Sequence, residues 1–453
     1  MNMMDAILSI RERKSPPAEL VTETLETIRK KNPELNAFIT VCEEEAVREA
    51  EQLTSEWESG TLRGPLHGIP VAVKDLVYTE GIRTTMGSVI YQDFIPPEDA
   101  TVIEKLKDAG AVIIGKTNTH EFAYGPTGDV SHYGPVRNPY DPSRISGGSS
   151  SGSAAAVASG MAYAGIGTDT GGSVRIPASA CNLVGMKPTF GRISKNNIFP
   201  LAYTLDHPGP ITAGVEENAI LLNILAGPDP ADRYSLLESP PDFTAELKNS
   251  IKGKVIGLPA HYFRLLDPEV RTTVERAARK FESLGAKVIE VDIPVMPEIN
   301  DAQIVTIQCE AAAIHRETMD KQPGDYAPEV LARLEASIKR TGWEYVRAQQ
   351  ERPRLIEGFN EVFSKVDVLL TPTLPILPTP IGERKTIVDG NEIDVIPALL
   401  SLTSPTNFTG NPSLSVPAGL SSGGLPVGIQ LIGNHGEEAK LYRFGYAFEQ
   451  ARP

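Results

Sequence analysis

The feature that most limits the fold is a strand–helix–strand run in the C-terminal half. Lys254-Val255-Ile256-Gly257 reads as a short buried strand. Residues 268–284 follow with a proline start and helical periodicity, and Lys287-Val288-Ile289-Glu290-Val291 reads as a second strand. Such a crossover makes its two strands parallel.

The rest of the chain reads in the same terms. Helices are expected over residues 15–31, 43–55, 99–110, 216–226, 302–319, 327–363 and 437–450, with Asp99 as the cap of the third. Strands are expected at 67–73, 111–114, 366–371, 414–417 and 427–432, and residues 372–397 form an irregular, proline-rich excursion over the site. The first two helices read as structural cover. With no repeat and no disordered linker, the expectation is one α/β domain over residues 1–453, built on a mixed, mostly parallel sheet covered by helices. Its helical cover would span about 1–60 and its core about 64–210.

Composition excludes some partners. Hydrophobic residues make up 41% of the chain and charged residues 22%, the balance of a soluble globular protein. A formal charge of −15 disfavours nucleic acid and anionic membrane surfaces, both of which attract clustered positive charge. Cys42, Cys181 and Cys309 are sparse and unpaired in pattern, which suggests neither a disulfide framework nor a thiolate metal site. Residues 1–14 lack the apolar run of a signal peptide, and no run of about 18 apolar residues is present. The expected location is the cytoplasm. No histidine spacing supports a metal, and no cofactor is expected.

Three stretches carry chemistry. Gly167-Thr168-Asp169-Thr170-Gly171-Gly172-Ser173 follows a short apolar run. Two glycines before a serine let the backbone turn sharply, and successive N–H groups in such a turn can converge on one oxyanion. Gly147-Gly148-Ser149-Ser150-Ser151-Gly152-Ser153 runs into an alanine-rich segment and reads as a loop opening a helix. His67-Gly68-Ile69-Pro70-Val71-Ala72-Val73 is a buried-strand pattern that ends in Lys74-Asp75, and lysine is seldom buried without a purpose. Two decoys accompany them. Residues 110–117 match the phosphate-loop pattern GxxxxGKT, but a helix precedes the stretch and β-branched residues fill it. Gly148-Ser149-Ser150-Ser151-Gly152 also matches the G-x-S-x-G elbow, which would make Ser150 a histidine-served nucleophile.

Together, Lys74, the serine-rich loop and Gly171-Gly172-Ser173 resemble the amidase signature family. The resemblance extends over about residues 37–451, and the segments 184–192 and 205–210 continue it. The family usually has glycine where this chain has Ser151. The resemblance implies a serine–cis-serine–lysine triad, with Ser173 as nucleophile, Ser149 as bridge after a cis Gly148–Ser149 bond, and Lys74 as base. It further implies an oxyanion hole from the N–H groups of Thr170, Gly171, Gly172 and Ser173, and substrate contacts at Ala123, Gly125 and Thr127. Burial would have to lower the lysine pKa from its ordinary ~10.4. Asp75 reads as a salt-bridge or backbone-capping residue, and Asp169 and Arg175 as a pair that fixes the loop.

The activity implied is hydrolysis of a small carboxylic amide by a stand-alone amidase through a seryl acyl-enzyme, with homo-oligomerisation left open. Two alternatives stand beside it. One is the glutamine-hydrolysing A subunit of an aminoacyl-tRNA amidotransferase, which uses the same triad. That protein usually has glutamine where this chain has Ile176, and an Arg-Ile-x-Leu-Gly element whose nearest match here begins at Arg333. The other is a non-catalytic scaffold.

Overall fold

The computed structural model describes residues 2–451. Eleven strands build the central sheet: β1 (Phe38–Val41), β2 (Pro70–Lys74), β3 (Val112–Thr117), β4 (Ala164–Asp169), β5 (Val184–Lys187), β6 (His207–Thr212), β7 (Val255–Pro259), β8 (Lys287–Val291), β9 (Val368–Pro372), β10 (Ser413–Leu420) and β11 (Pro426–Ile432). Their order across the sheet is β1-β3-β2-β4-β6-β5-β10-β11-β9-β7-β8. Every residue of β2, β3, β4, β6 and β11 is buried. Unbroken burial, in place of in–out alternation, means that helices cover both faces. The result is a single α/β domain on a mixed sheet, as the sequence implied.

The direction of pairing follows the connections. β2 lies parallel to β3 and β4 on one flank, and β7 parallel to β8 and β9 on the other. The β7–helix–β8 crossover is the one read from the sequence, with its helix at Pro268–Ser283. Between the flanks, and at the β1 edge, neighbours run antiparallel, so the expected excess of parallel pairing holds only on the flanks. β10 and β11 are joined by a tight turn in which Ser421 N–H donates to Leu425 O at 2.8 Å. A connection that short can join only antiparallel strands.

Three local expectations are corrected. Residues 327–363 are not one helix but two, Pro328–Ile338 and Gly342–Asn360. Thr341 caps the second, with Glu344 accepting from the Thr341 N–H and hydroxyl, both at 2.8 Å. The excursion at 372–397 is not irregular throughout: Lys385–Val388 and Asn391–Asp394 form a hairpin, and Val395–Ser401 is a helix. Asp389 and Gly390 both have positive φ at its tip, the conformation an Asp-Gly two-residue turn favours. Asp99 does not cap the helix Thr101–Asp108, whose N-cap is Ala100. The Asp99 carboxylate instead accepts from Glu80 N–H at 2.7 Å and pairs with Lys107. The chain also begins with an unforeseen helix, Met3–Arg11, capped by Asn2.

The phosphate-loop match is accounted for by burial. Residues 112–117 of that pattern are strand β3, buried throughout. The Lys116 ammonium is bound by Val77 O and Thr84 Oγ1. No helix among the described residues is long and apolar enough to cross a membrane.

Candidate active site

The adjacent parallel strands β2 and β4 end side by side, and the ends of parallel strands are where α/β folds place their sites. β2 ends on Lys74. β4 ends on Thr168 and Asp169 and leads into the glycine loop and the helix Arg175–Ala180. The helix Ser151–Ala158 lies against β4, with Ser153 Oγ donating to Ile166 O at 2.9 Å. Its serine-rich entry loop is thereby carried to the end of β2.

Lys74 is fully buried. Its Nζ donates to Ser149 Oγ at 2.7 Å and to Thr168 Oγ1 at 2.8 Å. Burial lowers its pKa to about 7, against the opposing pull of the Asp169 and Asp206 carboxylates. The Gly148–Ser149 peptide bond is cis. Ser173 joins the serine loop through its backbone, its carbonyl accepting from Ser150 N–H at 3.1 Å. The Ser173 hydroxyl itself makes no hydrogen bond among the described residues.

The glycine loop is clamped by one carboxylate. Asp169 accepts from the N–H groups of Gly172 at 2.8 Å and Val174 at 3.1 Å. Arg175 grips the same carboxylate through Nε at 3.0 Å and Nη2 at 2.8 Å. Burial would raise the Asp169 pKa, but the Arg175 guanidinium and Asn407 hold it well below the carboxylate range. Arg175 also reaches Thr403 O, Thr406 Oγ1, Asn407 Oδ1 and Gln430 Oε1, all within 2.9 Å. The pair therefore fixes the loop, as expected. Of the four expected oxyanion donors, Gly172 N–H is taken by Asp169. The N–H groups of Thr170, Gly171 and Ser173 have no protein partner among the described residues.

A small cavity of about 20 Å³ adjoins this arrangement, and Thr168, Thr170 and Ala123 border it. Gly125 and Thr127 are not among its lining residues. Gly125 packs so tightly on His120 that a Cβ there would come within 2.2 Å of the ring, and Thr127 Oγ1 lies 3.5 Å from His120 Nδ1. Among the described residues Ser150 has no histidine partner. Its hydroxyl donates to Thr168 O and accepts from Thr168 N–H, both at 3.2 Å. Asp75 accepts from Thr85 N–H and Oγ1 at 2.7 and 2.6 Å, a backbone-capping role.

Sequence reading missed Thr168 as the second partner of Lys74. It also missed Asp206, whose Oδ1 accepts from Thr170 Oγ1 at 2.5 Å. The signal for Asp206 was present, because a carboxylate between Leu205 and a strand that begins His207-Pro208 stands out in an apolar setting.

The chain is similar to known proteins along nearly its whole length. The Amidase family model matches residues 19–442. The A subunit of the glutamyl-tRNA(Gln) amidotransferase of Koribacter versatilis (strain Ellin345) is 36% identical, over 98% of this chain and 97% of its own. A chain from a vestigial protein complex that reveals the evolutionary origins of an s-triazine catabolic enzyme is 34% identical and superposes with a TM-score of 0.95, covering 99% of this chain and 98% of its own. A crystal structure of an amidase is 36% identical, with a TM-score of 0.91 and 99% of both chains covered. With the family model spanning nearly its whole length, the chain belongs to the amidase signature family, enzymes that hydrolyse amide C–N bonds.

Proposed function

We propose that this protein is an amidase that cleaves a carboxylic amide through a seryl acyl-enzyme, with residues 64–210 as its catalytic core and 1–60 as helical cover. Ser173 is the nucleophile, Ser149 the bridge and Lys74 the base. The observation that carries this reading is the buried Lys74 amine, lowered to about 7 and 2.7 Å from the Ser149 hydroxyl. A lysine with that pKa is neutral in a large fraction of molecules near pH 7, so it can accept a proton.

As Ser173 Oγ attacks the carbonyl carbon, its proton passes to Ser149 Oγ and the Ser149 proton passes to Lys74 Nζ. The N–H groups of Thr170, Gly171 and Ser173 receive the oxyanion; one such donor is worth ~3 kcal/mol of transition-state stabilisation. The proton returns along the same path to the leaving nitrogen, the C–N bond breaks, and ammonia or an amine departs. Water, activated by the same relay, then hydrolyses the ester. Trapping the acyl group and mapping it by mass spectrometry tests the assignment: the adduct is expected on Ser173, and one on Ser150 would overturn it.

The amidotransferase relatives favour a second reading, a glutamine-hydrolysing protein that works with partners. Two features oppose it. Ile176 belongs to an apolar cluster with Leu374, Val395 and Leu399. The Arg333 guanidinium is engaged by Tyr124 O and Glu329. Ammonia release by the lone protein from simple amides supports the first reading; strict dependence on glutamine and a partner supports the second.

A further inference from the structure

The polar side chains packed on the glycine loop fall into two groups. Thr403 Oγ1 donates to Gly171 O at 2.6 Å, Asn407 Nδ2 donates to Asp169 O at 2.8 Å, and Thr406 and Gln430 accept from Arg175. These four hold the loop. Gln303, on the helix Met296–Lys321, and Ser404, at the start of the helix Pro405–Thr409, do not. Neither side chain makes a hydrogen bond among the described residues. Gln303 is only 4% exposed and Ser404 8%, yet their unpaired polar atoms are not sealed from solvent.

Both side chains meet the loop at Gly171. A Cβ on that residue would stand 3.2 Å from Leu400 Cδ2, and 3.8 Å from both Gln303 Nε2 and Ser404 Cβ. Ser173 follows two residues on and shares their condition: it is 5% exposed, with its hydroxyl unpaired and open to solvent. Three unpaired, accessible polar side chains thus converge on one turn. A few polar groups set in an otherwise apolar and buried surface are how a small-molecule site fixes its ligand. A substrate whose carbonyl oxygen lies at the Gly171 N–H turns the substituent beside that carbonyl towards Gln303 and Ser404.

The chemistry of these groups selects the substituent. An amide and a hydroxyl each donate and accept, and neither carries charge. Leu400, half-buried beside them, adds an apolar contact. Glu310, two turns along the same helix face, is already spent on Thr204 N–H and Oγ1 at 3.0 and 2.6 Å and on the Tyr345 hydroxyl at 2.9 Å. A charged substituent would lose water here without gaining an opposite charge. We propose that Gln303, assisted by Ser404, is a specificity-determining residue of the acyl site, and that the preferred substrates are amides with an uncharged hydrogen-bonding group on the carbon beside the scissile carbonyl. This inference rests on the amidase reading and adds the substrate class to it.

Lactamide, isobutyramide and alaninamide test it, the chiral pair as both enantiomers. They differ only in bearing a hydroxyl, a methyl or, at neutral pH, an ammonium group on that carbon. Ratios of kcat/KM measured on one preparation do not depend on the fraction of enzyme that is folded. The wild-type protein is expected to favour lactamide over isobutyramide by about fivefold or more, as one neutral hydrogen bond would give, and to disfavour alaninamide. Gln303→Met is expected to bring the lactamide ratio near one, and Ser404→Ala to reduce it. Gln303→Glu is expected to raise alaninamide above lactamide, a reversal that a merely structural role would not produce. A wild-type ratio near one, or a preference for lactamide that survives both Gln303→Met and Ser404→Ala, would overturn the proposal while the amidase reading stands. Turnover of other simple amides without turnover of lactamide would do the same. Release of ammonia from none of them would remove the amidase reading and this inference together.

Discussion

Two neighbouring strands each bury a lysine near their C-terminal end, and the two lysines do different things. In the β2–β3 ladder Val73 pairs with Lys116 and Lys74 with Thr117. That offset of one residue sends the two ammonium groups to opposite faces of the sheet. Both are fully buried, and burial lowers both pKa values, Lys74 to about 7 and Lys116 to about 8. Their partners separate them. Lys116 meets a carbonyl, a threonine hydroxyl and, at 3.8 Å, the Asp75 carboxylate, which favour its charged form. Among the described residues Lys74 Nζ hydrogen-bonds only to the hydroxyls of Ser149 and Thr168, one of which can pass a proton onward. Burial makes a lysine a candidate base; the groups at its tip decide whether it becomes one.

Removing each lysine tests the contrast most directly. Lys74→Met is expected to lower kcat/KM on the order of 10²–10⁴-fold, the range for a lost general base, with the denaturation midpoint held or raised. Lys116→Met leaves Asp75 buried without its cation, and is expected to cost about 3–5 kcal/mol of stability with activity per folded molecule retained. Urea titration and steady-state kinetics on both variants read this out. Equal losses of activity would break the comparison.

The pH dependence sharpens it. Only neutral Lys74 accepts a proton, so kcat/KM should rise through about pH 7 and then level, and Lys116→Met should leave that limb in place. The folded value of Lys74 lies below the ~10.4 of an unfolded lysine, so the unfolded chain binds more protons between those limits. The contribution of Lys74 to stability therefore improves as pH rises from about 7 towards ~10.4, and Lys74→Met should flatten that part of the stability profile.

The residues of the proposed triad were legible because each broke a local rule. A lysine closes an apolar strand, and glycine pairs precede serines in segments otherwise fit for strand or helix. The support around them was not legible. Arg175 is held by Thr403, Thr406, Asn407 and Gln430, more than 200 positions away, and nothing in either segment names the other. The hairpin at Asp389-Gly390 was readable, but the prolines on either side drew the reading to irregular chain.

The smallest effect is expected where the lysine contrast recurs within two adjacent serines. The Ser149 hydroxyl faces Lys74, and the Ser150 hydroxyl faces the backbone of Thr168. β2 pairs with β4 only as far as Ile166, and Pro208, opposite Thr168 on β6, has no N–H to offer. Ser150 therefore serves both backbone groups of Thr168 and holds in place the residue whose side chain binds Lys74. Ser150→Ala loses two long neutral hydrogen bonds, expected to cost about 1–2 kcal/mol of stability and no more than about tenfold in kcat/KM. Ser149→Ala interrupts the proposed relay and should match the loss seen for Lys74→Met, since members of one catalytic unit do not add. Should Ser150→Ala prove as inactive as Ser149→Ala, the G-x-S-x-G elbow reading would return, and the proton path from Lys74 would have to be redrawn.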